Sequence, residues 1–375
     1  MTKRSRRYLV YFLTILAGCL TSLLILGTIA YISNQNLPGG PTQNERLEPL
    51  DKARLAEALH LQSALGDQIW PGWQQAIPPY LLWHAESSFL TSFDQPPPGW
   101  VIVNGDQFQG EPYYRQPSEE PQNFAILIGD TWVASLATKH ETDLFMRQAF
   151  QEMLPDWVEP FFPFRLLILN SELHISGLLH ESFHVYQARQ APDKFAAAEA
   201  IYPLEDAYWQ IDPQMQAGWK SEIELLIEAI QTPNQADAVT LARQFLANRQ
   251  ERRQAAGLTP ELANFERRQE WLEGLAKYVE LASWQAAGQA GDYQPLPAME
   301  ADPDFKDYQT YDRRWRQELD QARRQASEQS VVRFYYTGLL QARLLDRLLP
   351  DWKARAFETD LALEDMLQQA VDTAQ

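Results

Sequence analysis

A chain of 375 residues with 45% hydrophobic and 12% aromatic side chains has material for one large core or two modest ones, which excludes a disordered or fibrous protein. Its 50 acidic residues outnumber 32 basic ones for a formal charge of −18, a surface that repels phosphate backbones and so argues against nucleic acid as a partner. The single cysteine, Cys19, leaves no disulfide to stabilise the fold.

The first seven residues hold Lys3, Arg4, Arg6 and Arg7, and the 25 that follow, 8–32, carry no charge. A stretch of that length spans a bilayer as one helix. The basic residues ahead of it keep the amino terminus in the cytoplasm and send the rest to the far side, periplasmic or extracellular. The reading is an uncleaved, single-pass signal anchor in the cell membrane. The alternative is a lipoprotein, because Cys19 follows Leu16-Ala17-Gly18, which resembles a bacterial lipoprotein cleavage box. Cleavage there would leave the mostly apolar residues 20–32 behind the lipidated end, where lipoproteins turn polar. Residues 33–50, with Pro38-Gly39-Gly40-Pro41 and no apolar periodicity, read as a flexible stalk.

Residues 51–375 form the folded domain, with a sheet-containing half over 51–190 and a helical half over 191–375. Helical spacing runs over 51–65 and stops at Gly66. Residues 69–100 are crowded with aromatic and turn residues and read as a loop-rich entry layer. Strands are expected at 100–103, 125–128, 132–137 and 164–169, with Gly129-Asp130 turning a hairpin between the second and third, and a helix at 143–153. After Arg189 the periodicity is helical: 195–200, 214–230, 236–254, 260–287, 312–349 and 361–374. The expected class is α+β, a predominantly helical domain with a small amino-terminal β-sheet, preceded by one transmembrane helix.

Within a proline-free helical stretch, 173–189, stands His180-Glu181-Ser182-Phe183-His184. Positions i and i+4 share one helix face, so both imidazoles reach the same cation. Zinc takes neutral imidazole readily, and a catalytic site adds a third protein ligand and leaves the fourth position to water. Glu181, about 100° round the helix from His180, flanks that open position, where it can take a proton from water and hand it to a leaving group. His174 lies roughly 120° off the metal-facing side and is read as structural. His60, His84 and His140 stand alone.

The third ligand is expected from a later helix packed across the site. Residues 270–280, Glu-Trp-Leu-Glu-Gly-Leu-Ala-Lys-Tyr-Val-Glu, supply the candidates. His-Glu-x-x-His followed far downstream by Glu-Gly-x-Ala-x-Tyr resembles the gluzincin branch of the zincin metallopeptidases, and the likeness to aminopeptidase-type members is especially close at Trp271-Leu272-Glu273-Gly274. The resemblance implies a zincin-like domain with zinc held by His180, His184 and Glu273, and Glu181 as the base. It further implies a Tyr or His from a carboxy-terminal segment to steady the oxyanion, and a strand in front of the site that pairs with an extended peptide, for which 125–137 is the candidate.

The residues themselves leave alternatives open. Glu270, three positions before Glu273 on the same helical face, is a rival ligand. Gly274 favours Glu273, because a residue without a side chain lets this helix approach the active-site helix closely. Glu270 and Glu280 are also candidates to accept hydrogen bonds from the far nitrogens of the histidines. For the oxyanion donor the choice is Tyr336, since Gly338 would permit close approach to a ligand, with Tyr335 the alternative. The function so implied is a membrane-anchored zinc peptidase acting on a peptide or protein substrate outside the cytoplasm. Its rival is a non-catalytic tethered module whose aromatic-rich front binds a partner.

Overall fold

The structure, a computed structural model, describes residues 3–35, 37–119 and 121–374. It opens with α1 (Lys3–Asn34), in which Tyr11–Asn34 is long and apolar enough for a membrane anchor or a signal sequence. Between Tyr11 and Ile32 its large apolar side chains stand exposed. The connection to α2 (Pro49–Ile69) is not the free stalk expected. Its carbonyls have no regular partners, and side chains of the domain take them instead. Arg147 Nη1 donates to the Pro38 carbonyl at 2.8 Å, and His140 Nε2 and His84 Nε2 lie 3.0 and 3.1 Å from the carbonyls of Gly40 and Asn44.

Six strands follow: β1 (Tyr80–His84), β2 (Ser87–Thr91), β3 (Val101–Ile102), β4 (Tyr114–Pro117), β5 (Phe124–Ile128) and β6 (Thr131–Ala137). Their order across the sheet is β3-β4-β2-β1-β6-β5, with β1 and β6 parallel and the other neighbours antiparallel. The supposed entry loops thus contain a hairpin, β1–β2. Its Ala85-Glu86 turn lacks the Gly or Asn that usually marks one. The strand expected at 164–169 is instead a 3₁₀ turn, Phe164–Leu166, which starts at Pro163 and has no neighbouring strand.

The helices that follow are α3 (Lys139–Gln151), α4 (Ser171–Gln190), α5 (Pro192–Glu199), α6 (Glu205–Ile211), α7 (Gln216–Gln231), α8 (Gln235–Ala255), α9 (Pro260–Gln269), α10 (Leu275–Gln289), α11 (Tyr311–Gln325), α12 (Val332–Leu348), α13 (Trp352–Arg355) and α14 (Leu363–Thr373). Two departures matter. The helix expected over 260–287 carries a π turn, Glu270–Gly274, between α9 and α10, and the one expected over 312–349 is broken into α11 and α12. The class is α+β, mostly helical with a small mixed sheet.

Helix α4 lies at the centre, packed between β5 and β6 on one side and α2 and α10 on the other. It is buried nearly all round, on its polar as well as its apolar positions. Leu178, Leu179, Phe183 and Val185 are fully buried, each contributing about 1.5–3 kcal/mol by leaving water. They share one continuous core with Trp271, Leu272 and Leu340, so the sheet-bearing and helical halves are not separately filled.

Candidate metal centre

Polar side chains on a helix this deeply buried need partners. Ser182 Oγ donates to Gln62 Oε1 at 2.9 Å, and Gln62 in turn donates to the Trp73 carbonyl at 2.9 Å. His174 Nε2 sits 2.9 Å from the Ala137 carbonyl, off the metal-facing side, and burial pushes its pKa down to about 4, so it stays neutral. It ties α4 to β6.

His180 and His184 do face one point. Their Nε2 atoms are 3.1 Å apart, and Glu273 Oε2 lies 3.5 Å from the first and 3.3 Å from the second. All three residues are buried, and among the described residues they are the group of ionisable side chains whose ligand atoms converge, within 4.8 Å, in a way that could hold a metal ion. The residues present fit such an ion, because Glu273 Oε2 is buried with no well-formed hydrogen bond of its own. A buried carboxylate oxygen aimed between two imidazole nitrogens calls for a cation.

Charge within the cluster follows from burial and proximity. Burial alone would raise the Glu273 carboxyl, but His184 and His180 outweigh it and hold Glu273 well below the usual carboxylate range. Burial also opposes charge on both histidines. For His180 the adjacent carboxylates of Glu273 and Glu280 prevail, and its pKa rises to about 10, whereas for His184 burial prevails and the pKa falls. Glu181 is buried beside these acids, its Oε2 without a partner, and burial with the charges of Glu273 and Glu280 raises its pKa to about 8.

The π turn decides which glutamate faces the histidines. A π turn packs more residues into each revolution than an α turn, so Glu270 and Glu273, which an α-helix would bring near one face, point different ways. Glu270 is gripped by Arg249, whose Nη2 and Nη1 donate to its Oε1 and Oε2 at 2.6 and 2.8 Å. Glu273 turns to the histidines. Gly274 serves a different neighbour from the one expected. A Cβ on it would come within 2.4 Å of Gly338 Cα, and a Cβ on Gly338 within 2.3 Å of the Glu270 carbonyl oxygen. The glycine pair therefore lets α12, not α4, lie against the π turn, and Gly338 makes room for backbone, not for a ligand.

Around the cluster stands a second layer. Glu280 Oε2 lies 3.5 Å from His180 Nδ1, and Lys277 Nζ donates to its other oxygen at 2.7 Å. His184 Nδ1 is 2.9 Å from Gln187 Oε1, and Gln187 Nε2 donates to the carbonyls of Trp271 and Leu272 at 2.9 and 3.1 Å. Gln187 thus couples the second histidine to the turn that carries Glu273. Sequence reasoning missed it, although its place three residues after His184 was the available signal.

Of the two tyrosines, the structure brings Tyr335 to the cluster. Its ring stacks on His180 with centroids 5.7 Å apart, and burial, together with the charge of Glu273, raises its pKa well above the usual phenol value. Tyr336 points elsewhere: its hydroxyl donates to Glu318 Oε2 at 2.8 Å, so the expectation for Tyr336 is corrected. One position along a helix is about 100° of rotation, enough to exchange the two phenols. On the sheet side Phe124 of β5 packs against His184, ring centroids 4.5 Å apart, and β5 is the edge strand.

A buried His-His-Glu group of metal-binding geometry, built on two helices of an α+β domain, is the class of site this fold defines. Comparison of the chain with protein-family models, with curated proteins and with solved structures found no match.

Proposed function

We propose that this chain is a membrane-anchored, zinc-dependent peptidase of the gluzincin type, acting outside the cytoplasm. The observation that carries the reading is the convergence of His180, His184 and Glu273 with Glu181 at their side. The separations of 3.1, 3.3 and 3.5 Å among the three ligand atoms match the roughly 3.3 Å expected for nitrogen and oxygen ligands about 2.0–2.2 Å from a tetrahedral zinc. Three protein ligands with no thiolate leave a position open, as catalytic rather than structural zinc does.

The chemistry that zinc supplies when bound is Lewis acidity toward a carbonyl and toward water. Glu181, held in a buried acidic setting that favours proton uptake, takes the proton of the attacking water and returns it to the leaving amine. Tyr335, kept protonated by its surroundings, is the donor to the developing oxyanion, in place of Tyr336. The free edge of β5, beside His184, suits an extended peptide added as a further strand. The four basic residues before the apolar helix support a domain on the outer side of the membrane, by the positive-inside tendency.

The test uses the detergent-solubilised chain and a mixture of peptides. Elemental analysis should find about one zinc per chain, lost in His184→Ala. Glu181→Gln should keep the zinc and lose at least 99% of cleavage, roughly the hundredfold or more that a general base contributes. A chain without metal at neutral pH, or a fully active Glu181→Gln, overturns the proposal.

A further inference from the structure

Residues 152–167, between α3 and α4, expose an unusual run of large apolar side chains: Met153 at 77%, Trp157 at 78%, Phe161 at 56% and Leu166 at 80%. They lie on a segment that packs against the end of α1. Phe161 Cδ1 would lie 3.7 Å from a Cβ on Gly27, its ring centroid is 6.2 Å from that of Tyr31, and Asn34 Nδ2 donates to the carbonyls of Pro160 and Phe162 at 3.3 and 2.8 Å.

We infer that this segment is inserted into the same bilayer as α1, with Trp157, Phe161 and Leu166 in contact with lipid. The inference rests on the reading of α1 as a membrane anchor and not on the peptidase reading. Depth follows from helix geometry. A hydrocarbon core of about 30 Å takes about 20 residues at about 1.5 Å each, so within the charge-free stretch 8–32 it ends between Thr28 and Ile32. Gly27, and with it the Phe161 ring, then lies about 2–8 Å inside that edge.

Irregular backbone at the membrane border is favoured where its polar groups are satisfied within the protein. The Asn34 amide does this for two carbonyls of the segment, reaching them from within α1 itself. The charges fit a border position as well. Glu159 accepts from Gln151 Nε2 at 2.5 Å and Arg165 pairs with Asp304 at 2.5 Å, while Glu152 and Asp156 are exposed and free to reach the head groups. A tryptophan among such residues is the usual occupant of the membrane border. The connection after α1 is also tied to the domain, by Arg147, His140 and His84. Since Ser171 opens α4 soon after Leu166, and His180 stands about 14 Å further along that helix, the metal centre stays near the inserted segment.

Site-directed spin labelling of the full chain in lipid nanodiscs tests this directly. The native Cys19 carries the first label, and in a Cys19→Ala background single labels are placed by Trp157→Cys, Leu166→Cys and, as a water-exposed reference, Glu251→Cys. Collision rates are read with oxygen, which concentrates in lipid, and with a nickel chelate, which stays in water. Labels at 157 and 166 should show an oxygen-to-nickel ratio several-fold above that at 251 and approaching that at Cys19. A ratio at 157 and 166 equal to that at 251 overturns the inference while leaving the anchor intact. Exclusion of both reagents at 157 and 166 also overturns it, by showing that protein covers the segment. A Cys19 label as open to nickel as 251 removes the anchor, and the inference falls with it. None of these readings depends on zinc or on cleavage.

Discussion

At the scale of single residues, Gln187 shows how narrow the tolerance of the centre is. Its carbonyl oxygen fixes the orientation of the His184 ring, and its amide nitrogen holds the two carbonyls that precede Glu273. Loss of such a partner typically lowers metal affinity 10- to 100-fold, because the ligand must then be oriented at the moment of binding. Gln187→Ala should therefore release zinc to a competing chelator at about 10- to 100-fold lower chelator strength than the parent, with the fold retained by circular dichroism. An unchanged affinity would mean that packing alone orients His184. The histidine pair itself was legible in the sequence because i and i+4 on a helix have a fixed relation whatever surrounds them. The choice between Tyr335 and Tyr336 was not, since it depends on how α12 is rotated, and its neighbours set that rotation.

The elements were legible where periodicity was long, as in α4, α7 and α8, and illegible where one residue changes the winding. Nothing in Glu270-Trp271-Leu272-Glu273-Gly274 announces a π turn, and reading the segment as an ordinary helix is what made Glu270 look like a rival ligand. The contact that accompanies the turn is long-range: Gly274 on one element and Gly338 on another, with the Glu270 carbonyl between them. Gly338→Ala should be costly, because the added carbon would meet that carbonyl oxygen at 2.3 Å and Gly274 Cα at 2.7 Å, both of them backbone. Overpacking of this kind typically costs about 1–3 kcal/mol and moves one element off the other. The expected outcome is a lower unfolding midpoint together with weaker zinc binding, since the displaced turn carries Glu273. Alanine at 338 with parental stability and metal content would show that α12 does not bear on the turn. The β1–β2 hairpin was missed for a similar reason: its turn carries no Gly or Asn, and its partners β6 and β4 come from later in the chain.

Across the whole molecule, the helical half is tied together by buried charge as much as by its apolar core. Arg249, Arg252 and Arg253 of α8 meet Glu222 of α7, Glu266 of α9, Glu270 of the π turn and Glu364 of α14, most of them fully enclosed. Such a network is costly to assemble and more costly to break, because removing one partner leaves the other buried and unpaired. Burial by itself would raise the Glu364 carboxyl, but Arg253 and Arg249 outweigh it and lower its pKa from 4.5 to about 2. A carboxyl with a depressed folded-state pKa stabilises the fold above its ordinary value and loses that contribution as pH falls through the folded value. The window here is from about pH 4.5 down to about 2, and the shift corresponds to about 3 kcal/mol. Glu364→Gln should accordingly unfold at lower temperature than the parent at pH 7, and the two should converge as the pH is lowered through that window. Its zinc content at pH 7 should match the parent's, because Arg249 keeps its grip on Glu270 and the π turn stays in place. A stability difference that stays constant from pH 7 to pH 3 would mean that Glu364 acts through packing rather than charge.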